Sequence, residues 1–434
     1  MGSSQQPTAI IIGAGISGLS ASIALRRAGF HVTIYEKSLF NNEIGAAISV
    51  PPNATRVLDR WGFDVHAHGA VPNEASRFAT ADDLKVLMYE TYEDIGEVMG
   101  ARSWSFHRVD LHRGLRELAV GEEGVGTPVR IELGREAVGV DCEKGEVRLK
   151  DGEVVTGDLV VIADGAHSKL IEDFTGNPSE VARTGRSIYR WLVSMEDVLA
   201  DPDLAAQYTD RPPGFQSWTD PSNSILWVSY TCRSGKVLNN AVVHPTQPNQ
   251  SDTNPWHSEA PKSAVLAMLH NFHPSLQKII HLATEDGIKV HHLFKRPALT
   301  SFVHGRALVV GDAAHVMMPT HAAGGAIAIE TAATLETLFS GVNPKSDSTA
   351  FRKRLELFDR LRIPRCNTTM LASNAGPGWL SVPGVEDEVR RFYGSGPLPP
   401  VGSIPWGAAF REFLFHHDAY RAAEEALVEA EGEV

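Results

Sequence analysis

The chain has 434 residues, 43% hydrophobic and 21% charged, an ordinary globular composition with room for two or three domains and a sizeable core. A formal charge of −13 leaves no basic footprint for nucleic acid or an anionic membrane surface, and no run of about 18 apolar residues exists to form a membrane span. Three widely spaced cysteines, Cys142, Cys232 and Cys366, suggest neither a disulfide framework nor a zinc site, and they point to the reducing cytoplasm.

The polar start, residues 1–6, lacks the features of a signal peptide or a myristoylation pattern and is expected to be a disordered leader. Residues 9–12 are a short β-rich apolar run that breaks at Gly13-Ala14-Gly15-Ile16-Ser17-Gly18, which fits GxGxxG. Gly13 permits a tight turn, Gly15 leaves room for a pyrophosphate, and Gly18 lets the next helix pack closely on the strand. That helix runs to Ala28, is stopped by Gly29, and opens its N–H groups and positive dipole end toward phosphate near Ile16. A second strand, residues 31–35, ends at Glu36 beside Lys37, about 20 residues past the glycines. A carboxylate there accepts protons from both ribose hydroxyls and argues against a 2′-phosphate at this site. Together these parts describe a dinucleotide grip.

A loop over residues 41–52 and a helix over 53–61 follow. Residues 108–119 are predicted helical, with Leu111, Leu115 and Leu118 on one face. Residues 129–165 read as hairpin strands with an Asp151-Gly152 turn, ending in a buried strand over 159–162. From residue 187 to about 243 the strands lengthen and carry Trp191, Trp218, Trp227 and Tyr230, which suggests an antiparallel sheet with an aromatic face. Residues 245–261 read as a surface loop, 264–271 as a helix, 306–310 as a strand feeding Gly311-Asp312, and Gly324–Phe339 and 348–361 as helices. The acidic tail, residues 424–434, is expected to fray.

Three separated signals now stand in order: the GxGxxG unit; Asp158 to Ser168 (DLVVIADGAHS); and Arg306 to Pro319 (RALVVGDAAHVMMP). In this order and spacing the chain resembles the group A FAD-dependent aromatic monooxygenases, the salicylate hydroxylase-like family that includes fungal biosynthetic enzymes. The likeness covers most of residues 8–365. It implies an α/β fold like that of para-hydroxybenzoate hydroxylase: a Rossmann-like FAD-binding domain from residues 1–80, 101–182 and 296–350, an inserted antiparallel-sheet substrate domain from 81–100 and 183–295, and a C-terminal helical region, 351–434. It also implies backbone contacts to FAD at Ala46 and Ala47, a flavin contact from Arg108, a DG-motif role for Asp164, and Asp312 on the ribityl hydroxyls. Gly324, Gly325 and Ala326 would open a helix under the isoalloxazine. The family's Gly-Gln-Gly and asparagine are absent from residues 320–331, where Gly324 and Glu330 alone keep their types, and Ile171 replaces an arginine that often ends the DG motif.

The implied chemistry is reduction of FAD by NADPH or NADH, reaction with O₂ to a C4a-hydroperoxide, and hydroxylation or epoxidation of an electron-rich, aromatic small molecule. The aromatic sheet would wall the cavity. Arg190 and Tyr230 are the candidate catalytic residues, one for an anion or the oxidant, the other for a substrate hydroxyl; an outward-facing arginine and a core tyrosine are the alternative. An FAD oxidase, dehydrogenase or rearrangement enzyme, and a non-catalytic flavin-binding protein, are the rival functions. No metal site is expected from His315, His321, His291 and His292. Partners are a small-molecule substrate and O₂, with no nucleic acid, and the chain is expected as monomer or homodimer.

Overall fold

The computed structural model describes residues 6–40, 45–178, 181–247, 258–403 and 406–432. A six-stranded sheet contains the strand–helix–strand unit; its order is Val303–His304, Ala307–Val309, Leu159–Ile162, Thr8–Ile12, His31–Glu36 and Arg130–Leu133. Every pairing is parallel except that of the first two strands. Helices cover its central strands, so residues 159–162 are buried at every position and read as an unbroken apolar run. The glycine-led helix Ile16–Arg27 packs against Arg108–Val120 and Gly324–Phe339.

A second sheet has eight strands: Ser258–Glu259, Lys289–Lys295, Ala182–Ser194, Val237–Pro245, Ile225–Cys232, Gly214–Asp220, Ala75–Thr80 and Val86–Thr91. By pairing, Ala75–Thr80 goes with this layer rather than with the residues before it, and we propose the domain division ahead of Ala75 rather than after residue 80. Side chains alternate along each strand and paired residues share a face. Trp191, Trp218 and Trp227 therefore lie on one side, where they form a core with Val265 and Leu269 and with Leu276 and Ile279 from the helices Lys262–Met268 and Pro274–His281. The aromatic face expected to wall a cavity is this core. Arg190 and Tyr230 occupy the opposite face, turned toward the first sheet.

Other expectations shift. Within the loop read over residues 41–52, Ala47–Val50 is a strand paired with Trp104–His107, and residues 41–44 lie outside the described residues. The loop read over 245–261 is bounded by strands at Pro245 and Ser258, and 248–257 lie outside the described residues, as do 1–5 of the polar leader. The tail is helical over Ala419–Gly432 because Tyr420, Ala423 and Ala426 bury one stripe of it. Among the described residues no helix is long and apolar enough to cross a membrane.

The helix read as 348–361 continues to Ala375, through Pro364. Its extension is held by charge. Glu330, fully buried on Gly324–Phe339, accepts from Arg362 Nη1 at 2.8 Å and Arg365 Nη2 at 2.9 Å, and from Asn53 Nδ2 at 2.7 Å. Burial alone would raise its pKa, but Arg365 and Arg362 overcome this and hold the carboxyl well below the usual range. The pair's stability contribution is thus complete above the ordinary glutamate pKa and is lost only as pH falls through the depressed folded value. Glu330→Gln leaves two buried guanidinium groups uncompensated and should cost roughly 3–5 kcal/mol, read as a lower urea midpoint of the apoprotein near neutral pH.

Candidate active site

Three chain segments interlock where the central parallel strands end. Gly13 has φ +96°, and a side chain on it would meet the Ala163 carbonyl oxygen at 2.6 Å and Asp164 Cα at 3.0 Å. One on Gly311 would strike Ser17 Oγ, and one on Gly18 the Gly13 carbonyl oxygen. Gly15 differs: apart from its chain neighbours, no atom of the described residues lies within 4 Å of where its side chain would be. The helix it opens has no side-chain cap, so the first N–H groups, beginning at the buried Ile16, have no side-chain acceptor. Glu36 secures the turn by accepting from Ala14 N and Ser38 N, each at 2.7 Å, and His112 Nε2 lies 2.7 Å from the Ala14 carbonyl oxygen. Lys37 is exposed and within electrostatic reach of Asp164.

Asp164 Oδ1 is buried without a hydrogen-bond partner among the described residues, and burial pushes its pKa up against an opposing effect of Ser168. Between it and Asp312 lies buried Arg296, absent from the sequence reading, which donates to the Ala313 carbonyl and, at 3.4 Å, to the Ala166 carbonyl. A lone Arg-Pro after a strand carries no signal that would have marked it. A side chain at Gly324 would stand 4.0 Å from Asp312 Oδ1, and one at Gly325 would meet Ile48 Cδ1 at 2.7 Å. The helix Gly324–Phe339 also lacks a side-chain cap, so the N–H groups of Gly324, Gly325 and Ala326 open beside Asp312 and the strand Ala47–Val50.

That strand joins the two layers. The Ala46 carbonyl accepts from Arg108 N at 2.9 Å, and Ala47 N donates to Asn239 Oδ1 at 3.0 Å. Asn239, also unforeseen, pairs with Tyr230 in the second sheet, so the face bearing Arg190 and Tyr230 is keyed to the Ala47 backbone.

Arg190 has no ion pair or hydrogen bond to any described residue. Burial pushes its pKa down to about 10, against an opposing effect of Tyr230, and Arg108 lowers it further. Tyr230 is pushed upward, chiefly by burial, and is a phenol throughout the neutral range. Its ring packs edge-on against Phe215, centroids 5.0 Å apart. His315 is buried and held neutral by burial, His321 Nδ1 lies 3.2 Å from Ser373 Oγ, and His292 Nδ1 lies 3.1 Å from Ser187 Oγ. Among the described residues no group of three or more His, Cys, Asp or Glu is placed to hold a metal ion. Ile171 is a core residue of the helix Leu170–Thr175.

The open cradle at Gly15, the two helix starts without side-chain caps, and an Asp164 oxygen with no hydrogen-bond partner among the described residues fit a ligand with a pyrophosphate between two hydrogen-bonding ends, as FAD has. Residues 6–344 match the FAD binding domain family. The chain is 33% identical to the FAD-dependent monooxygenase cfoG of Aspergillus candidus, covering 85% of this chain and 84% of that one. It is 31% identical to hispidin-3-hydroxylase of Neonothopanus nambi, over 82% and 85%. In structure it resembles a salicylate hydroxylase substrate complex, with a TM-score of 0.73, 19% identity and 98% of both chains covered. Two glycine substitutions separate the cradle from the packing. Gly15→Val should leave the apoprotein's Tm within about 2 °C while weakening FAD binding about tenfold or more by flavin-fluorescence titration. Gly18→Ala, which meets rigid backbone, should destabilise the apoprotein itself by roughly 1–3 kcal/mol.

Proposed function

Because the chain belongs to the FAD binding domain family and is an FAD-dependent monooxygenase, we propose that it uses NADPH or NADH and O₂ to hydroxylate or epoxidise an electron-rich aromatic small molecule. The observation that carries this reading is Arg190: a half-buried cation with no ion pair or hydrogen bond to a described residue, on the sheet face keyed to Ala47, close enough to Arg108 to feel its charge. Such a group is costly to bury alone and is relieved by an anion or strong acceptor.

In this reading Gly13, Gly15, Ile16 and Gly18 hold the pyrophosphate, Glu36 and Lys37 the adenosine end, and Asp164, Asp312 and Arg108 the chain between pyrophosphate and ring. Ala46, Ala47, Gly324, Gly325 and Ala326 line the ring itself, the last three offering N–H groups where negative charge collects on reduction. Bound FAD supplies the two-electron reduction and activation of O₂. The chain's own residues then orient the substrate. Arg190 holds an anionic or strongly accepting group. Tyr230, kept as the phenol, donates a hydrogen bond to a substrate oxygen instead of serving as a phenolate base. The Tyr230 ring, packed edge-on against Phe215, offers a surface to a planar substrate. The buried thiols Cys142, Cys232 and Cys366 suit a reducing cytoplasm.

Turnover under ¹⁸O₂ tests the reaction: one labelled atom should enter the product, and unlabelled product would overturn the reading. Arg190→Ala should keep bound FAD yet lower product formation by about a hundredfold, with NAD(P)H consumption diverted to H₂O₂.

A further inference from the structure

Tyr230 has a feature that its proposed role leaves unexplained: its hydroxyl makes no hydrogen bond to a described residue, so its position rests on ring packing alone. The packing leads out of the sheet. The Tyr230 ring meets Phe215 at 5.0 Å, and Phe215 meets Trp406 at 4.6 Å, both edge-on. Trp406 is buried and close to two more rings, stacking on Tyr92 at 6.2 Å and tilted against Phe415 at 4.7 Å. Its backbone is left-handed, φ +66°, an unusual conformation for a residue with a bulky side chain. It is fixed by Arg411, which donates to the Trp406 carbonyl, pairs with Glu90 at 3.0 Å, and lies over Tyr92 at 4.5 Å. Trp406 also lies beyond residues 6–344, the part matched to the family.

We propose that Trp406 is a positioning residue, and that the Trp406–Phe215–Tyr230 ladder sets where the Tyr230 phenol meets the substrate. The C-terminal segment thereby acts as a specificity element, favouring planar substrates whose oxygen lies at one fixed distance from the Tyr230 ring. This inference rests on the reading of Tyr230 as a substrate-contacting group. Nothing in it requires Trp406 to touch either substrate or flavin.

The test uses the FAD-loaded full chain. Trp406→Leu, Trp406→Phe, Phe215→Leu and Tyr230→Phe are compared for FAD content, for kcat and KM on an accepted aromatic substrate, and for the share of NAD(P)H oxidation that ends as H₂O₂. Expected are unchanged FAD content in all four, and a fall in kcat/KM of about tenfold with a larger H₂O₂ share in Trp406→Leu, Phe215→Leu and Tyr230→Phe. Trp406→Phe, which keeps a ring against Phe215, should recover most of the coupling. Impaired Tyr230→Phe beside normal Trp406→Leu would overturn the ladder and leave the Tyr230 reading standing. Normal Tyr230→Phe would overturn that reading and the ladder with it. Should Trp406→Leu fail to fold, Phe215→Leu decides on the same criteria.

Discussion

Glu330 is a carboxylate wholly withdrawn from water, and three separate parts of the chain are arranged around it. Asn53 reaches it from the helix after the Ala47 strand, Arg362 and Arg365 from the long helix, and His417 Nε2 at 3.8 Å from the C-terminal region. Arg365 also donates to the Phe413 and Leu414 carbonyls, which closes the helix Ala408–Phe415 onto the same point. A buried charge tolerates little displacement of its partners, because each lost contact leaves an ion in a low dielectric. The register of Gly324–Phe339 is thereby fixed, and with it the direction in which Gly324, Gly325 and Ala326 aim their N–H groups. The C-terminal segment that carries Trp406 and Phe410 is anchored by the same carboxylate.

The second organising constraint is the two-residue period of the long strands. One face of the eight-stranded sheet is a dry core of tryptophans and helix side chains; the other is polar where it meets the first layer, through Asn239, Arg190 and Tyr230. Rigidity and chemistry are thus assigned to opposite sides of the same strands. A one-residue slip of Ile225–Cys232 would send Tyr230 into the tryptophan core and Ser229 to the site face. The interlocking of Trp218 and Trp227, ring centroids 5.6 Å apart, opposes that slip.

Much of this was legible in the residues. The glycine turn could be read because Gly13 needs a positive φ, Gly18 admits no side chain, and Glu36 lies at the strand end, all local requirements. The central parallel strands, residues 8–12, 159–162 and 307–309, announced themselves as short apolar runs, whereas Arg130–Leu133, read among hairpin strands, pairs in parallel with His31–Glu36 instead. What escaped was whatever depends on partners far along the chain. Alternation puts Trp227 and Tyr230, three residues apart on one strand, on opposite faces, but not which side meets helices and which meets the nucleotide-binding layer. Pro364 reads as a helix end until Arg362 and Arg365 are seen to have a buried acid to reach. Arg296 and Asn239 carry no local pattern at all; each becomes meaningful only once two segments more than a hundred residues apart are brought together.

The two opposite titration shifts in the proposed site have one physical origin. Burial lowers the Arg190 pKa and raises that of Tyr230, since a dry environment disfavours the charged form of each. The same dryness is what oxygen transfer requires, because an activated oxygen species exposed to water is lost as H₂O₂ before it meets substrate. Around neutral pH the result is a guanidinium still charged beside a phenol still protonated: two donors that no acid among the described residues pairs with. Substrates that bring their own acceptor, a phenolate, carboxylate or enol oxygen, gain most from such a pair, and an electron-rich ring bearing that oxygen is also the one most readily attacked by an electrophilic oxidant. In the proposed reading, binding preference and reactivity are therefore selected by the same two groups.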